Sequence, residues 1–390
     1  MIQRPFALYV HVPFCAHKCP YCDFNTYATK QIPEREYVDA LALEIKRFAE
    51  DQDFKGRTIS TIFFGGGTPS LLAPVAICKV LDTARGFFPI LANAEIAMEA
   101  NPSGVSLETL RGYREAGVNR ISFGAQSFSQ DRLDFLGRDH RVSDIGDAVK
   151  FAREAGFENL SLDLIYGVPG QSVQELEADL VAATSLPIQH LSAYALTIEQ
   201  GTPFYQRKER GLFSAAPEET VAQMMDLLPE TLSTRGFHRY EISNFAKPGY
   251  ESKHNCTYWS GDDYLGVGAG AHSLLTSYDG SQRVSALRWS TIATPERYIS
   301  SAGTDAAISW REQLDHDALM FEFLYLGLRK TEGVSSQRFN ELFGVALNQR
   351  YGKTVDELID GGYLSVESDR LKLTSQGIKL ADSVFERLLL

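Results

Sequence analysis

The 390-residue sequence has no excess of basic residues, no long apolar run and few cysteines. Its 50 Asp and Glu residues outnumber its 38 Lys and Arg residues, which gives a formal net charge of −12. Proteins that coat DNA or RNA carry a basic face, so we expect no nucleic-acid partner. Five cysteines in a chain of this length exclude a disulfide scaffold, and a hydrophobic content of 44% is typical of a globular protein.

Segments that would direct the chain to or across a membrane are also lacking. No stretch approaches the ~18 consecutive apolar residues that a membrane-spanning helix requires. Residues 1–6 contain neither an apolar core nor the small-residue cleavage site of a secretory signal peptide. We therefore expect a cytoplasmic protein. In that reducing compartment, clustered cysteines are expected to bind a metal instead of forming disulfides.

Short β-branched runs alternate with amphipathic helical patterns in the first half of the chain. Helices are predicted at positions such as 36–48 and 173–183. Six strands are predicted at residues 7–12, 58–64, 94–99, 120–124, 160–166 and 189–195. Strands that alternate with helices indicate βα units around a parallel sheet, so the predicted class is α/β.

The pattern changes after about residue 200. Residues 236–310 contain glycine-rich loops, many aromatic residues and weak periodicity, and we predict a connecting segment there. Beyond residue 315 the periodicity is again helical. The order of helix, glycine turn, short hairpin and last helix then predicts a C-terminal α+β winged-helix-like domain. We therefore divide the chain into residues 1–235, 236–310 and 311–390, and expect the cation-poor tail to have a structural or docking role.

Three cysteines, Cys15, Cys19 and Cys22, follow the first predicted strand with the spacing C-x3-C-x2-C. Three thiolates on one short loop can reach a single metal centre. One interpretation is a structural zinc site with His17 or His11 as fourth ligand, although such sites usually draw on two separated ligand pairs. The other is an iron–sulfur cluster. Electron-transfer clusters use four thiolates, so three would leave one iron open to a small molecule.

An open iron suits S-adenosylmethionine, whose amino and carboxylate groups can chelate it. An electron that enters the sulfonium then breaks a C–S bond and gives a 5′-deoxyadenosyl radical, which is chemistry of the cofactor and not of the protein. The position of the loop favours this interpretation, because barrel folds have their active sites at the C-terminal ends of the strands. With Tyr21 as the aromatic residue, C-x3-C-x-aromatic-C resembles the radical S-adenosylmethionine superfamily, whose core is a partial (βα)6 barrel.

Glycines and single polar residues stand at the ends of the later strands. Gly66, Gly67 and Thr68 follow the second strand, where glycines let a ligand approach the backbone and no P-loop lysine is present. Asp163 lies in an otherwise apolar strand and should therefore have a polar partner. Taken singly, such residues are more typical of structural hydrogen bonds. Their recurrence at successive strand ends predicts a ligand pocket.

These segments resemble the coproporphyrinogen dehydrogenase family of that superfamily from about residue 6 to residue 380. The resemblance implies that the three clustered cysteines bind a [4Fe-4S] cluster. It implies that S-adenosylmethionine is contacted by Tyr9, Gly66, Gly67, Thr68 and Glu99. A second or adjacent ligand site would be lined by Tyr21, Gln126, Arg138 and Asp163.

Two departures separate the chain from the dehydrogenase branch of this family. Phe24 stands where that branch has a further cysteine. That branch also carries an N-terminal extension before its cysteines, whereas here the first cysteine is residue 15. Residues 254–259, His-Asn-Cys-Thr-Tyr-Trp, could form a packed aromatic turn, which composition alone favours. The pattern H-N-x-x-Y-W, however, resembles the sister branch of HemW-type heme chaperones. His254 is then the favoured heme-binding candidate, and Cys256 and His272 are weaker ones.

The sequence therefore predicts a radical S-adenosylmethionine protein that binds heme and transfers it to acceptor hemoproteins. The resemblance implies recipients in the respiratory chain and an electron donor such as a flavodoxin or ferredoxin. Membrane proteins that the chain contacts transiently, and a second copy of the chain in a homodimer, are further candidate partners. The alternative is an oxygen-independent coproporphyrinogen III dehydrogenase, against which Phe24 argues. A third interpretation, a redox-sensing transcription factor, is supported by the winged-helix-like tail alone. The sequence assigns no catalytic residue.

Overall fold

A computed structural model describes residues 4–389 of the chain. Residues 1–3 and 390 lie outside the described range. The expectation that residues 1–6 are not part of a signal peptide therefore falls partly outside it. Among the described residues, no helix combines the length and the apolar character needed to cross a membrane. The strands are β1 (Phe6–Val12), β2 (Phe14–Cys15), β3 (Tyr27–Ala28), β4 (Ile59–Gly66), β5 (Ile90–Ala100), β6 (Arg120–Gln126), β7 (Asn159–Tyr166), β8 (His190–Ala195), β9 (His238–Arg239), β10 (Asn244–Ala246), β11 (Tyr264–Val267), β12 (His272–Asp279), β13 (Gln282–Thr291), β14 (Ile308–Leu314), β15 (Val334–Ser335), β16 (Leu364–Glu367) and β17 (Arg370–Leu373).

The helices alternate with these strands in the first half of the chain and dominate its end. They are α1 (Glu34–Glu50), α2 (Pro74–Phe87), α3 (Leu107–Ala116), α4 (Gln130–Leu136), α5 (Val142–Glu154), α6 (Val173–Ser185), α7 (Pro203–Glu209), α8 (Glu218–Ser233), α9 (Lys253–Trp259), α10 (Pro295–Ser301), α11 (His316–Gly327), α12 (Ser336–Phe343), α13 (Leu347–Asp360), α14 (Ser375–Lys379) and α15 (Ala381–Leu388).

Six parallel strands, in the order β1-β4-β5-β6-β7-β8, form the partial (βα)6 barrel. They are the six strands predicted from the sequence, and the observed strands differ at their ends by at most four residues. Buried apolar side chains such as Leu8, Ile62, Met98 and Leu162 explain the continuous hydrophobic runs, because parallel strands are covered on both faces. The described strands do not close on themselves: β1 continues to β11, and β8 continues to β10.

Residues 236–310 extend the same sheet on both sides. On one side β11 pairs parallel to β1, and β12, β13 and β14 then add antiparallel strands. The sequence analysis did not predict these strands, because β12 and β13 alternate poorly between buried and exposed residues. The Asp279-Gly280 pair at their turn, where Gly280 has a φ of +59°, is a hairpin signal that could have revealed them.

The C-terminal part has the predicted winged-helix-like order. Helix α13, the Gly361-Gly362 turn, the β16–β17 hairpin and helices α14 and α15 follow one another, and β15 completes a three-stranded sheet within the described range. Its core includes the buried side chains of Phe339, Leu358 and Phe385. Leu274 and Ala286 of β12 and β13 belong to the same core, so this part packs on the extended sheet.

Candidate functional site

A cavity of about 820 Å³ lies at the C-terminal ends of the barrel strands. This volume lies in the range of small-molecule sites. Most of the residues predicted from the sequence line it together: Tyr9, Cys15, Cys19, Tyr21, Cys22, Gly66, Gly67, Thr68, Glu99, Gln126, Arg138, Asp163 and His254. Cys256 and His272 are not among the lining residues.

The three cysteines lie on one loop after β1. Strand β2 ends at Cys15 and pairs with β3, while the Cys22 amide donates to the Cys19 carbonyl at 3.1 Å. Cys15 and Cys19 are buried and Cys22 is half-buried. The loop is therefore closed by backbone hydrogen bonds on both sides of Cys19, and its thiols face the cavity.

Each thiol has a polar neighbour, which for Cys15 and Cys19 comes from another segment and for Cys22 from the same loop. Thr68 Oγ1 donates to Cys15 Sγ at 3.6 Å, and Arg138 Nη1 donates to Cys19 Sγ at 3.3 Å. Cys22 Sγ lies 3.8 Å from Thr26 Oγ1. Burial raises the pKa of the Cys15 thiol, and the hydrogen bond from Thr68 works against this shift. Hydrogen bonds of this kind orient metal ligands and tune a centre that they surround.

The arrangement of donors distinguishes a cluster from a zinc ion. Among residues 4–389, no three His, Cys, Asp or Glu side chains are grouped as they would be around a single ion. Zinc draws its ligands to within roughly 2.0–2.3 Å of one point, whereas the thiolates of a four-iron cluster bind different iron atoms. His11, one candidate for a fourth zinc ligand, has its ring nitrogens 2.9 Å from Tyr9 Oη and 3.0 Å from the Asn25 carbonyl. His11 is thus engaged by other groups, and three thiolates without it as a fourth ligand fit the cluster that is expected for this loop.

The glycines at the end of β4 are required by close packing against the cysteine loop. Gly66 has a φ of +113°, and a Cβ atom there would overlap the His11 ring. A Cβ atom on Gly67 would lie 2.6 Å from the Phe14 carbonyl oxygen, and the Gly67 amide donates to Val12 O at 2.8 Å. These glycines thus fasten the strand end to the loop that carries Cys15.

Two half-buried carboxyl groups, those of Glu99 and Asp163, face the cavity from β5 and β7. The Gly66 amide donates to Glu99 Oε2 at 3.1 Å, and burial, followed by the nearby Asp163, raises the pKa of Glu99 to about 7. Burial also raises the pKa of Asp163, whose two oxygens each lie 3.1 Å from the Ser122 hydroxyl. The polar partner expected for Asp163 is thereby confirmed. Both groups can accept further hydrogen bonds from ligand hydroxyls.

Arg138 and Gln126 lie where β6 ends. Arg138 Nη2 donates to the Gly124 carbonyl at 3.0 Å, and its buried Nε has no partner among the described residues. Gln126 has a φ of +65°, a left-handed conformation that non-glycine residues rarely adopt. Such strain is concentrated at functional sites in proteins, and here it turns the Gln126 side chain toward the cavity.

Helix α9 places His254 in the cavity wall. His254 is buried and stacks on Phe63, with ring centroids 5.0 Å apart. Its Nδ1 lies 2.9 Å from Thr61 Oγ1 and its Nε2 lies 2.9 Å from Tyr258 Oη. Burial lowers the pKa of His254 to about 3, so the ring is neutral at physiological pH. Neutral imidazole is the form that binds metals, but both nitrogens already have partners.

The other two heme-binding candidates lie elsewhere. Cys256 is on the same helix but outside the cavity lining, and burial raises the pKa of its thiol to about 11. His272 is exposed at the start of β12, with its ring 5.8 Å from that of Trp310. The structure thus brings His254 to the cavity with the cysteines and does not bring Cys256 or His272 there.

The sequence analysis missed several residues of the cavity wall. Phe63 was visible as a neighbour of the glycine run. The others are polar or aromatic residues at strand ends, for which no motif gave a signal. The missed residues that line the cavity include Phe63, Asn101, Ser122, Ser192 and Tyr194, whereas Tyr258 belongs to the H-N-x-x-Y-W motif and lines the cavity too.

Comparison with known proteins agrees with this geometry. Residues 9–182 match the Radical SAM superfamily and residues 314–380 match the HemN C-terminal domain. The chain is 39% identical over 381 residues to the heme chaperone HemW of Bacillus subtilis (strain 168), with 97% of each chain covered. It is 36% identical over 386 residues to HemW of Escherichia coli (strain K12), with 98% of this chain and 97% of that one covered. The chain belongs to the HemW family.

A eukaryotic protein is also similar to the chain. A Danio rerio protein, "Radical S-adenosyl methionine domain-containing protein 1, mitochondrial", is 35% identical, with 98% of this chain and 87% of that one covered. Membership of the HemW family within the Radical SAM superfamily gives the chain a [4Fe-4S] cluster and S-adenosylmethionine as cofactors. The residues that hold them stay a prediction.

A solved structure shares the fold of the HemW family chain described here. Coproporphyrinogen III oxidase (HemN) of Escherichia coli superposes with a TM-score of 0.83 at 23% identity, with 99% of this chain and 90% of that one covered. At this identity the likeness shows the fold alone. It agrees with the partial barrel and the C-terminal domain predicted from the sequence.

Proposed function

We propose that this protein binds heme and transfers it to acceptor hemoproteins. The Bacillus subtilis and Escherichia coli relatives, which it matches over nearly their whole length, are named heme chaperones. One observation in the structure supports the same function. The helix of residues 253–259, which carries the H-N-x-x-Y-W motif, forms a wall of the cavity that also holds the three clustered cysteines.

The proposal includes the cofactor contacts. Cys15, Cys19 and Cys22 would hold the cluster, which when bound with S-adenosylmethionine supplies one-electron chemistry. The half-buried carboxylates Glu99 and Asp163 would accept hydrogen bonds from ligand hydroxyls. Further contacts would come from the remaining lining residues named from the resemblance: Tyr9, Tyr21, Gly66, Gly67, Thr68, Gln126 and Arg138.

Heme would be bound at the wall formed by α9. His254 is the proposed iron ligand because its ring is neutral and faces the cavity. Its Nε2 is occupied by the Tyr258 hydroxyl, so ligation requires that this hydroxyl move away. Cys256 and His272 stay weaker candidates, since a ligand role for either would put heme outside the cavity.

An anaerobic heme titration that follows the Soret band tests this function. We expect saturable, near-stoichiometric binding by the wild type and at least tenfold weaker binding by His254→Ala. Tyr258→Phe is the matched control, because it frees Nε2 and should bind heme at least as tightly. If the wild type shows no saturable heme binding, the proposed heme-chaperone function is wrong. Wild-type affinity in His254→Ala, with loss in Cys256→Ser or His272→Ala, would move the site.

We further propose that the protein acts in the cytoplasm on respiratory-chain hemoproteins. Thiolate ligands such as those proposed for Cys15, Cys19 and Cys22 suit a reducing compartment. Transfer of heme to an apo-hemoprotein, followed by the shift of the Soret band, tests the delivery step. The proposed electron donor is a flavodoxin or ferredoxin. Cross-linking tests the proposed transient contact with membrane proteins. Light scattering tests the proposed homodimer.

The alternative function, coproporphyrinogen III dehydrogenase, is supported only by the shared fold. Phe24 occupies the position at which the dehydrogenase branch has a further cysteine, so this chain has no thiol there. Its side chain lines the cavity and is 67% exposed. We expect no decarboxylation when the reconstituted protein is incubated with coproporphyrinogen III, S-adenosylmethionine and a reductant. Formation of vinyl products would replace the chaperone proposal by this one.

A further inference from the structure

The cysteine loop is fastened at its far end to segments outside the six-stranded barrel. Asn25, three residues after Cys22, has an amide that donates to the Ala269 carbonyl at 2.9 Å and to the Ala293 carbonyl at 3.1 Å. Its own backbone carbonyl lies 3.0 Å from His11 Nε2. One side chain therefore links the loop to two turns that follow β11 and β13.

The first of these turns is held by a buried polar network. The Gly268 amide donates to Glu44 Oε2 at 3.0 Å, and the Tyr298 hydroxyl donates to the same carboxyl oxygen. The Tyr37 hydroxyl accepts from the Ala269 amide at 2.8 Å and donates to the His11 carbonyl at 2.8 Å. The Glu44, Tyr37 and Tyr298 side chains are buried, so the turn has little freedom to move.

Close packing also fixes the distance between the turn and the loop. Gly268 and Gly270 have φ values of +104° and +80°. A Cβ atom on Gly268 would lie 2.9 Å from the Tyr37 hydroxyl oxygen, and one on Gly270 would lie 3.1 Å from Asn25 Cγ. Glycines at these two positions allow an approach that larger residues would prevent.

We infer that Asn25 is a positioning residue for the cluster ligand Cys22, acting through its clamp on the turn of residues 268–270. Cys22 is half-buried, and its thiol has a polar contact at 3.8 Å with Thr26, which is on the same loop. Its place therefore depends on how the loop is anchored beyond it. This inference rests on the proposed assignment of Cys22 as a ligand of the cluster.

Asn25→Asp is the sharpest test, because it keeps the side-chain shape but turns a carboxylate oxygen toward two carbonyl oxygens. We expect iron release to a ferrous chelator to be at least tenfold faster than in the wild type. We also expect altered g-values in the electron paramagnetic resonance spectrum of the reduced cluster. In cluster-free protein, amide exchange of residues 15–28 should be faster. The control, Asn348→Asp, makes the same change at an exposed position on α13 and should match the wild type.

Asn25→Ala serves if Asn25→Asp fails to fold, because it removes both donors without adding charge. Wild-type iron release and spectra in a folded Asn25 variant would overturn the inference, even if the loop exchanged faster. Its failure is distinguishable from failure of the ligand assignment. If Cys22→Ser holds a wild-type cluster, the assignment of Cys22 as a cluster ligand is wrong, regardless of the result for the Asn25 variants. The heme titration is independent of both the ligand assignment and the role of Asn25.

Discussion

At the scale of single residues, the cavity brings together two half-buried carboxyl groups. Glu99 and Asp163 interact unfavourably as like charges, and burial penalises the ionised form of each. S-adenosylmethionine carries a positive sulfonium and ribose hydroxyls, which stabilise a carboxylate by charge and by hydrogen bonding. Binding of such a ligand is therefore expected to offset the repulsion between the two carboxylates and the cost of their burial.

Glu99→Ala should weaken S-adenosylmethionine binding by about tenfold to a hundredfold and leave the iron content unchanged. The reason is that a lost hydrogen bond to a charged group costs about 1.5–3 kcal/mol. Anaerobic calorimetry on the reconstituted protein measures the affinity, with Glu108→Ala, an exposed glutamate on α3, as the matched control. Equal affinities of wild type and Glu99→Ala would remove Glu99 from the binding site.

The pH dependence of this affinity follows from the pKa of about 7 for Glu99. That pKa is raised above the ordinary value for glutamate, so the free protein holds a proton on Glu99 below pH 7. A ligand that prefers the carboxylate must displace this proton, and its affinity falls by up to about tenfold per pH unit below pH 7. Above pH 7 the affinity should be constant. In Glu99→Gln the same titration between pH 6 and pH 8 should show no step from this residue.

At the scale of elements, helix α9 is placed by contacts that are distant in sequence. It is a seven-residue helix, and its residue His254 meets Thr61 of β4, 193 positions away in the chain. The His254 amide also donates to Glu95 Oε1 of β5 at 3.1 Å. Such a short helix has little stability of its own, so these contacts and its N-cap determine where the motif lies.

Ser252→Ala should destabilise α9 because the Ser252 hydroxyl accepts a hydrogen bond from the Asn255 amide at 3.3 Å. Loss of an N-cap costs about 1 kcal/mol, which corresponds to roughly fivefold faster amide exchange in residues 253–259. Hydrogen exchange read by mass spectrometry checks this. Ser300→Ala, at an exposed serine of α10 that is not an N-cap, should leave that exchange as it is. Unchanged exchange in Ser252→Ala would mean that the strands alone hold the helix.

The two kinds of strand explain how far sequence could predict the elements. Strands β1 and β4–β8 are buried on both faces, and their apolar runs identified them. Strand β13 mixes exposed residues with a buried Arg283, and neither a buried run nor a regular alternation marks it. Sequence spacing likewise revealed the cysteine loop, a local feature. The contact between His254 and Thr61 could not be predicted, since it depends on the tertiary fold.

At the scale of the whole molecule, one sheet runs through most of the chain. Within the described residues it extends from β14, through the barrel strands, to β9. The two turns that Asn25 contacts follow β11 and β13. Side chains of β12 and β13 pack with the C-terminal helices. A continuous path of packed elements thus joins the cysteine loop to the C-terminal part. The division of the chain at residues 235 and 310 stays a prediction about folding units.

A buried ion pair connects the barrel to the extended sheet at the end opposite the cysteines. Arg57, just before β4, donates to Asp263 at 2.7 Å, and less than a tenth of either side chain is exposed. Arg57 Nε also donates to the Arg4 carbonyl at 2.8 Å, while Asp263 accepts from the Thr276 amide of β12 at 2.8 Å. The pair therefore joins the starts of β4 and β11 to β12.

Asp263→Asn should lower the free energy of unfolding by about 3 kcal/mol, because it leaves the Arg57 charge buried without its partner. Urea denaturation of the cluster-free protein measures this loss. The control is Asp82→Asn on α2, whose ion pair with Arg85 leaves both side chains exposed, and it should lose less than about 1 kcal/mol. The double variant Arg57→Met/Asp263→Leu removes both charges and should be more stable than Asp263→Asn. If it were instead clearly less stable than the wild type, the attraction between the two charges would outweigh the free energy needed to bury them, and the ion pair itself would hold this end of the sheet together.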